Sequence, residues 1–134
     1  METPKRFIMV DDDAIGNMLG QELIRRVCGE VEIQLFMDPI QALHYIEETY
    51  NQENKVPTML FLDIHTPTMT GWEFLNRYKR YNKVHDQITV FMLSATDDQR
   101  DLKNAMSDNL VSGLIIKPLN KKVIQELISG NGII

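Results

Sequence analysis

Met59-Leu-Phe-Leu62 runs without interruption into Asp63-Ile-His-Thr-Pro-Thr-Met-Thr-Gly71, and the junction at Asp63 decides how the chain is read. A short, continuously apolar run has no polar face to turn to water, so as a strand it belongs inside a parallel sheet covered on both sides. The acid that follows then stands at the strand's carboxyl end. The same pattern recurs: Phe7-Ile-Met-Val10 precedes Asp11-Asp-Asp13, Ile88 to Leu93 precedes Ser94, and Leu114 to Ile116 precedes Lys117-Pro118. Val31-Glu-Ile-Gln-Leu-Phe36 alternates apolar with polar residues instead, which marks a strand at a sheet edge.

The segments between these strands are long enough for crossover helices, and their apolar residues recur at helical spacing. Ile15, Met18, Leu19, Leu23 and Val27 are expected to form the buried face of a first helix, Ile40, Leu43 and Ile46 that of a second, and Trp72, Leu75 and Tyr78 that of a third. The mostly polar segment Thr96 to Ser107 offers Leu102 and Met106 as anchors, and its opening Thr96-Asp-Asp-Gln99 has the capping-box pattern. A last helix should start at Asn120 as N-cap and bury Val123, Ile124, Leu127 and Ile128. Strand then helix, repeated about five times, predicts an α/β fold: a doubly wound five-stranded parallel sheet with right-handed crossovers. With the alternating second strand at the edge, the expected strand order is 2-1-3-4-5.

At 134 residues, the chain has the size of one domain, expected over 1–134 with a core from about 5 to 129. Its 43% hydrophobic and 25% charged residues fit a globular protein. A net charge of −5 argues against nucleic acid as a direct partner, because phosphate backbones are bound by clustered positive charge, and Arg25-Arg26 and Lys121-Lys122 are too small to reverse it. The apolar run Phe7 to Val10 is too short for a signal-peptide core, and no stretch has the length of a membrane span. The lone Cys28 cannot close an internal disulfide and reads as a small buried hydrophobe in a reducing cytoplasm.

Parallel strands bring all their carboxyl ends to one edge, so the acids at 11–13 and 63, the Ser94 hydroxyl and Lys117 should meet there despite their distance in sequence. Crowded carboxylates disfavour one another unless a cation shares the site, and Mg²⁺ suits an all-oxygen set that bridges to phosphate. Asp63 could then act as a carboxylate nucleophile toward phosphorus, with Lys117 as a point charge and Ser94 as a hydrogen-bond donor to the transferred group.

Val10-Asp-Asp-Asp13, Phe61 to Gly71, Leu93-Ser-Ala95 and Ile116-Lys-Pro-Leu119 together resemble the successive motifs of response-regulator receiver domains, over nearly the whole chain. That resemblance implies the flavodoxin-like receiver fold, Asp11 and Asp12 as the acidic pair for Mg²⁺, Asp63 as phosphoacceptor and further metal ligand, and the His65 backbone carbonyl as another ligand. It makes Ser94 the switch hydroxyl and Lys117 the phosphoryl-binding lysine ahead of a cis Pro118. It also implies a sensor histidine kinase or histidine phosphotransfer protein as phosphodonor, and a downstream protein target. One position departs: Leu114 stands where the family usually carries Tyr or Phe, so readout by rotation of a ring is not available.

Plainer roles suit several other residues. Asp13 reads as a helix N-cap, His65 as a partly exposed side chain over the site, His44 and His85 as surface residues, and Trp72 as a core or helix-start residue. Met9, Met59 and Met92 read as core filler. Two rival functions fit less well. A phosphorylation-independent adaptor has no need of Asp11, Asp12, Asp63, Ser94 and Lys117. A phosphohydrolase of the haloacid-dehalogenase type would have an acid where His65 stands, and more room for a substrate cap.

Overall fold

The computed structural model describes residues 3–50, 56–80 and 87–129; His85 and the tail beyond Ser129 lie outside them. Strands and helices alternate: β1 (Arg6–Val10), α1 (Ala14–Cys28), β2 (Glu32–Phe36), α2 (Pro39–Thr49), β3 (Thr58–Asp63), α3 (Gly71–Tyr78), β4 (Ile88–Ser94), α4 (Gln99–Ser107), β5 (Val111–Ile116) and α5 (Lys121–Ile128). The five strands form one sheet in the order β2-β1-β3-β4-β5, and every pair is parallel.

Both faces of the sheet are covered, which is why the middles of the central strands, 7–10, 59–62 and 90–93, are continuously apolar. Ile8, Val10, Leu60, Leu62, Val90 and Met92 point to one face and pack with residues of α2 and α3, among them Leu43, Ile46, Phe74 and Tyr78. Their neighbours Phe7, Met9, Met59, Phe61, Phe91 and Leu93 point to the other, against Ile24 of α1 and Ile124 and Leu127 of α5. In β2, Ile33 to Phe36 are only half-buried, in keeping with the edge. β5 begins earlier than its apolar run: Val90 pairs with Val111 and Phe91 with Gly113, so the register shifts around Ser112, where polarity masks the strand.

α1 differs from the apolar reading. Ile15, Met18 and Leu19 are 67%, 64% and 60% exposed, while Asn17, Gly20 and Ile24 face inward. Two contacts set this rotation. The Asn17 amide donates to the carbonyls of Asp11 (3.0 Å) and Phe36 (3.1 Å), which pins that side of the helix to the ends of β1 and β2. Gly20 lets the helix lie close on β1, since a Cβ there would stand 2.3 Å from Met9 Cε. Leu23 and Val27 do pack against the core, from its rim.

α4 also starts differently. Thr96 does not form a capping box; its N–H donates to Ser94 Oγ, and Asp98 is the N-cap, accepting from Arg100 N–H at 2.8 Å. Leu102 packs against the core, but Met106 is 69% exposed and the residues turned inward are Asp101 and Ala105. A capping box does occur, at α3: Thr70 Oγ1 accepts from Glu73 N–H while the Glu73 carboxylate accepts from Thr70 N–H, each at 3.1 Å. Asn120 caps α5 through Val123 N–H at 2.9 Å, and Asp13 caps α1 through Ile15 N–H at 3.0 Å. Trp72 is half-buried against the first core face and His44 is exposed. Cys28 is a free, half-buried cysteine whose thiol pKa is raised by burial.

Candidate functional site at the carboxyl edge of the sheet

Register brings the site together. β1 and β3 run side by side with Val10 opposite Leu62, so Asp11 and Asp63 leave the sheet at adjacent points. β3 and β4 pair Asp63 with Leu93, and β4 and β5 pair Ser94 with Ile116, which puts Lys117 one residue beyond. The Lys117 N–H donates to the Ser94 carbonyl at 2.7 Å, holding the two strand ends together, and the Lys117-Pro118 bond is cis.

The Lys117 ammonium sits between two carboxylates, 2.8 Å from Asp11 Oδ2 and 3.0 Å from Asp63 Oδ2. Both acids are buried, at 4% and 5% exposure. Burial by itself would lower the lysine pKa, but the hydrogen bonds and charges of Asp11 and Asp63 outweigh it and leave the pKa above its ordinary value. Asp12 is exposed, and Asp11, Asp12 and Asp63 each have a carboxylate oxygen within 4.8 Å of the others. An all-oxygen set of that span, with one of its three acids open to solvent, fits a hard divalent cation that retains several waters.

The loop after Asp63 is drawn tight around it. His65 N–H donates to Asp63 Oδ1 at 3.1 Å, Gly71 N–H donates to the Ile64 carbonyl at 2.8 Å, and the Thr66 hydroxyl donates to the Met69 carbonyl. Gly71 is required where it stands, because a Cβ would lie 2.6 Å from Met92 Cε, 3.1 Å from Ile64 Cα and 3.2 Å from the Asp63 carbonyl oxygen. The His65 ring leans outward, with Nε2 3.3 Å from Asp101 Oδ2. The Ser94 side chain is wholly buried; its hydroxyl donates to the Thr96 carbonyl at 2.7 Å and accepts from Thr96 N–H at 3.1 Å.

A cleft of about 350 Å³ runs from Asp11 and Lys117 along α1 past Ile15 and Leu19, so part of the exposed apolar strip of that helix borders the acidic edge. All six residues expected at the site therefore lie at or beside this edge, with Asp11, Asp12, Asp63 and Lys117 in one cluster. Asn17 and Asp101 went unnoticed in the sequence. Each is a polar residue inside an amphipathic helix, and apolar periodicity carries no signal for a polar group that is buried because it has a partner.

A doubly wound α/β domain with a lysine set between acids at the strand ends is thus the class that fold and site define. The chain matches the model of the response regulator receiver domain over residues 7–129, and it belongs to that family. It is 28% identical over 94% of its length to the probable methanogenesis regulatory protein FilR2 of Methanothrix harundinacea, 83% of which is covered. It is 24% identical over 95% of its length to the response regulator Rcp1 of Synechocystis, 86% of which is covered. Among solved structures, it superimposes on a two-component response regulator from Cytophaga hutchinsonii with a TM-score of 0.86 and 25% identity, covering 96% of this chain and 97% of that one. A response regulator receiver protein from Dyadobacter fermentans gives a TM-score of 0.82 at 24% identity, covering 93% and 95%, and shares the fold. The protein is accordingly a signalling domain of two-component systems. Receiver domains typically bind Mg²⁺ at an acidic pocket, and Asp11, Asp12 and Asp63 form an acidic cluster in this chain. No helix among the described residues is long and apolar enough to cross a membrane.

Proposed function

We propose that the protein accepts a phosphoryl group on Asp63 from a sensor histidine kinase or a histidine phosphotransfer protein and passes the signal on by protein–protein contact. The observation that carries this reading is the Lys117 ammonium between Asp11 and Asp63, at 2.8 and 3.0 Å, on the edge where the sheet delivers its polar residues. Asp63 Oδ1 and Oδ2 are already held by His65 N–H and Lys117, so the carboxylate is oriented before any donor arrives. In the transfer, an Asp63 oxygen bonds to phosphorus as the bond from phosphorus to the donor's imidazole nitrogen breaks, giving an acyl phosphate. Lys117 moves its contact from the free carboxylate to the phosphoryl oxygens.

Asp11, Asp12, Asp63 and the His65 carbonyl would hold Mg²⁺, which supplies the positive charge that lets these acids and a phosphoryl group share one site. Ser94 would give up the Thr96 carbonyl and donate to a phosphoryl oxygen, a stronger, charge-assisted bond. That exchange pulls on the Ala95 to Asp98 loop. Leu114 is buried and offers no ring to rotate, so the loop carries the change. Exposed Ile15, Met18 and Leu19, with Ile15 and Leu19 lining the cleft that reaches the acidic edge, supply apolar surface for the phosphodonor protein. The setting that suits such donors is the cytoplasm.

Incubation with a small phosphodonor and Mg²⁺, followed by intact-mass measurement, tests the reading. One added phosphoryl group, absent without Mg²⁺ and absent in Asp63→Asn, is the expected result; an unmodified wild-type protein would favour the phosphorylation-independent adaptor.

A further inference from the structure

Asp101 is a buried acid far from the sheet edge in sequence, and the proposed phosphotransfer gives it no part. It lies in the first turn of α4 at 7% exposure, and a carboxylate is seldom buried without a partner. Among the described residues its hydrogen-bond partner is the imidazole of His65, 36 positions earlier and on a different element. The two side chains are unequal: the Asp101 carboxylate is 10% exposed and the His65 ring 61%, so the acid is the fixed member and the ring is the arm laid across it. An acid in the first turn of a helix is already favoured by the backbone N–H groups there. That accounts for an acid at 101, but not for its burial beneath an imidazole from the β3–α3 loop.

His65 is bound at its other end too. Its N–H donates to Asp63 Oδ1, two residues back, so a short path runs from the Asp63 carboxylate through the His65 backbone and ring to α4. We propose that Asp101 is a positioning residue of the acidic site, holding the His65 side chain and with it the backbone segment that would offer its carbonyl to the divalent cation. The inference rests on the reading of Asp11, Asp12 and Asp63 as the Mg²⁺ site. It adds a direct link between that site and α4 that bypasses both Ser94 and position 114. Linkage makes the effect reciprocal: whatever the His65–Asp101 contact adds to cation affinity, the cation returns as a bias on the placement of α4.

Backbone NMR of the full chain titrated with Mg²⁺ reads both ends of this link. In the wild type, Mg²⁺ should move the amide resonances of Asp11 to Asp13, of Asp63 to His65, and of the first turn of α4 from Gln99 to Lys103. His65→Ala keeps its backbone carbonyl, yet should weaken Mg²⁺ binding about three- to tenfold, at or below the low end of the usual outer-shell effect because Mg²⁺ keeps several waters. Asp101→Ala should weaken it by a similar factor, and the double variant should be no weaker than either single one, as two parts of one contact require. Asp101→Asn retains an oxygen acceptor for the ring and should bind nearly as the wild type. Both alanine variants should lose the α4 response while keeping the response at Asp11 to Asp13. Unchanged affinity with a persistent α4 response, or losses that multiply in the double variant, would overturn the link alone. A wild type with no response at Asp11 to Asp13 would overturn the Mg²⁺ site and this inference with it.

Discussion

Replacing Lys117 with methionine keeps most of the side chain's length and removes its charge, and the consequence can be sized from the geometry. The ammonium stands 2.8 Å from one carboxylate and 3.0 Å from another. At an effective dielectric constant of about 20, each attraction is of order 6 kcal/mol before the desolvation that offsets most of it. Breaking a buried pair from one side typically costs roughly 3–5 kcal/mol. Here the lysine side chain is 26% exposed, so a smaller cost of about 2 kcal/mol is appropriate. In a domain of this size that lowers Tm by roughly 7 °C. Mg²⁺ should recover at least half of the loss, because a cation placed among Asp11, Asp12 and Asp63 replaces the missing charge; it should stabilise the variant more than the wild type. Thermal melts of both proteins with and without Mg²⁺ decide it. A Tm within about 2 °C of the wild type without Mg²⁺ would refute the charge argument.

The same residue sets an alkaline limit. Its pKa is raised in the folded state, so its contribution to stability is complete below the ordinary value of 10.5 and is lost as pH climbs through the higher folded value; the Tm gap between wild type and Lys117→Met should close only above pH 10.5. Asp12→Ala should remove most of the Mg²⁺ affinity measured by calorimetry. Asp13→Ala, which loses the cap on Ile15 N–H, should leave that affinity much less changed and cost about 1 kcal/mol in denaturant unfolding. Gly71→Ala must push its new methyl against Met92 Cε and against the backbone at Ile64 and Asp63, and a destabilisation of about 1–3 kcal/mol by urea titration is expected.

How far the sequence could be read depended on the kind of force involved. Continuously apolar runs in β1, β3 and β4 announced a sheet buried on both faces, and the alternation after Val31 placed β2 at its edge. Strand ends then located Asp11, Asp63, Ser94 and Lys117 without any knowledge of the contacts between them. The rotation of α1 was not legible, because two polar hydrogen bonds from Asn17 and the close approach at Gly20 outweighed the apolar residues Ile15, Met18 and Leu19. The start of α4 was hidden for a related reason: Thr96 spends its backbone on Ser94, and the cap passes to Asp98. Short-range polar competition of this kind has no periodicity to betray it.

Trapping the phosphorylated residue itself tests the central claim most directly. Protein treated with a small phosphodonor and Mg²⁺ can be reduced with borohydride, which converts an aspartyl phosphate to homoserine, and then mapped by peptide mass spectrometry. The account predicts homoserine at position 63 and at no other acid, dependent on Mg²⁺ and lost in Lys117→Met or much reduced. Homoserine at Asp11, Asp12 or Asp101 instead, or a phosphoryl group that resists reduction and maps to His65, would contradict it.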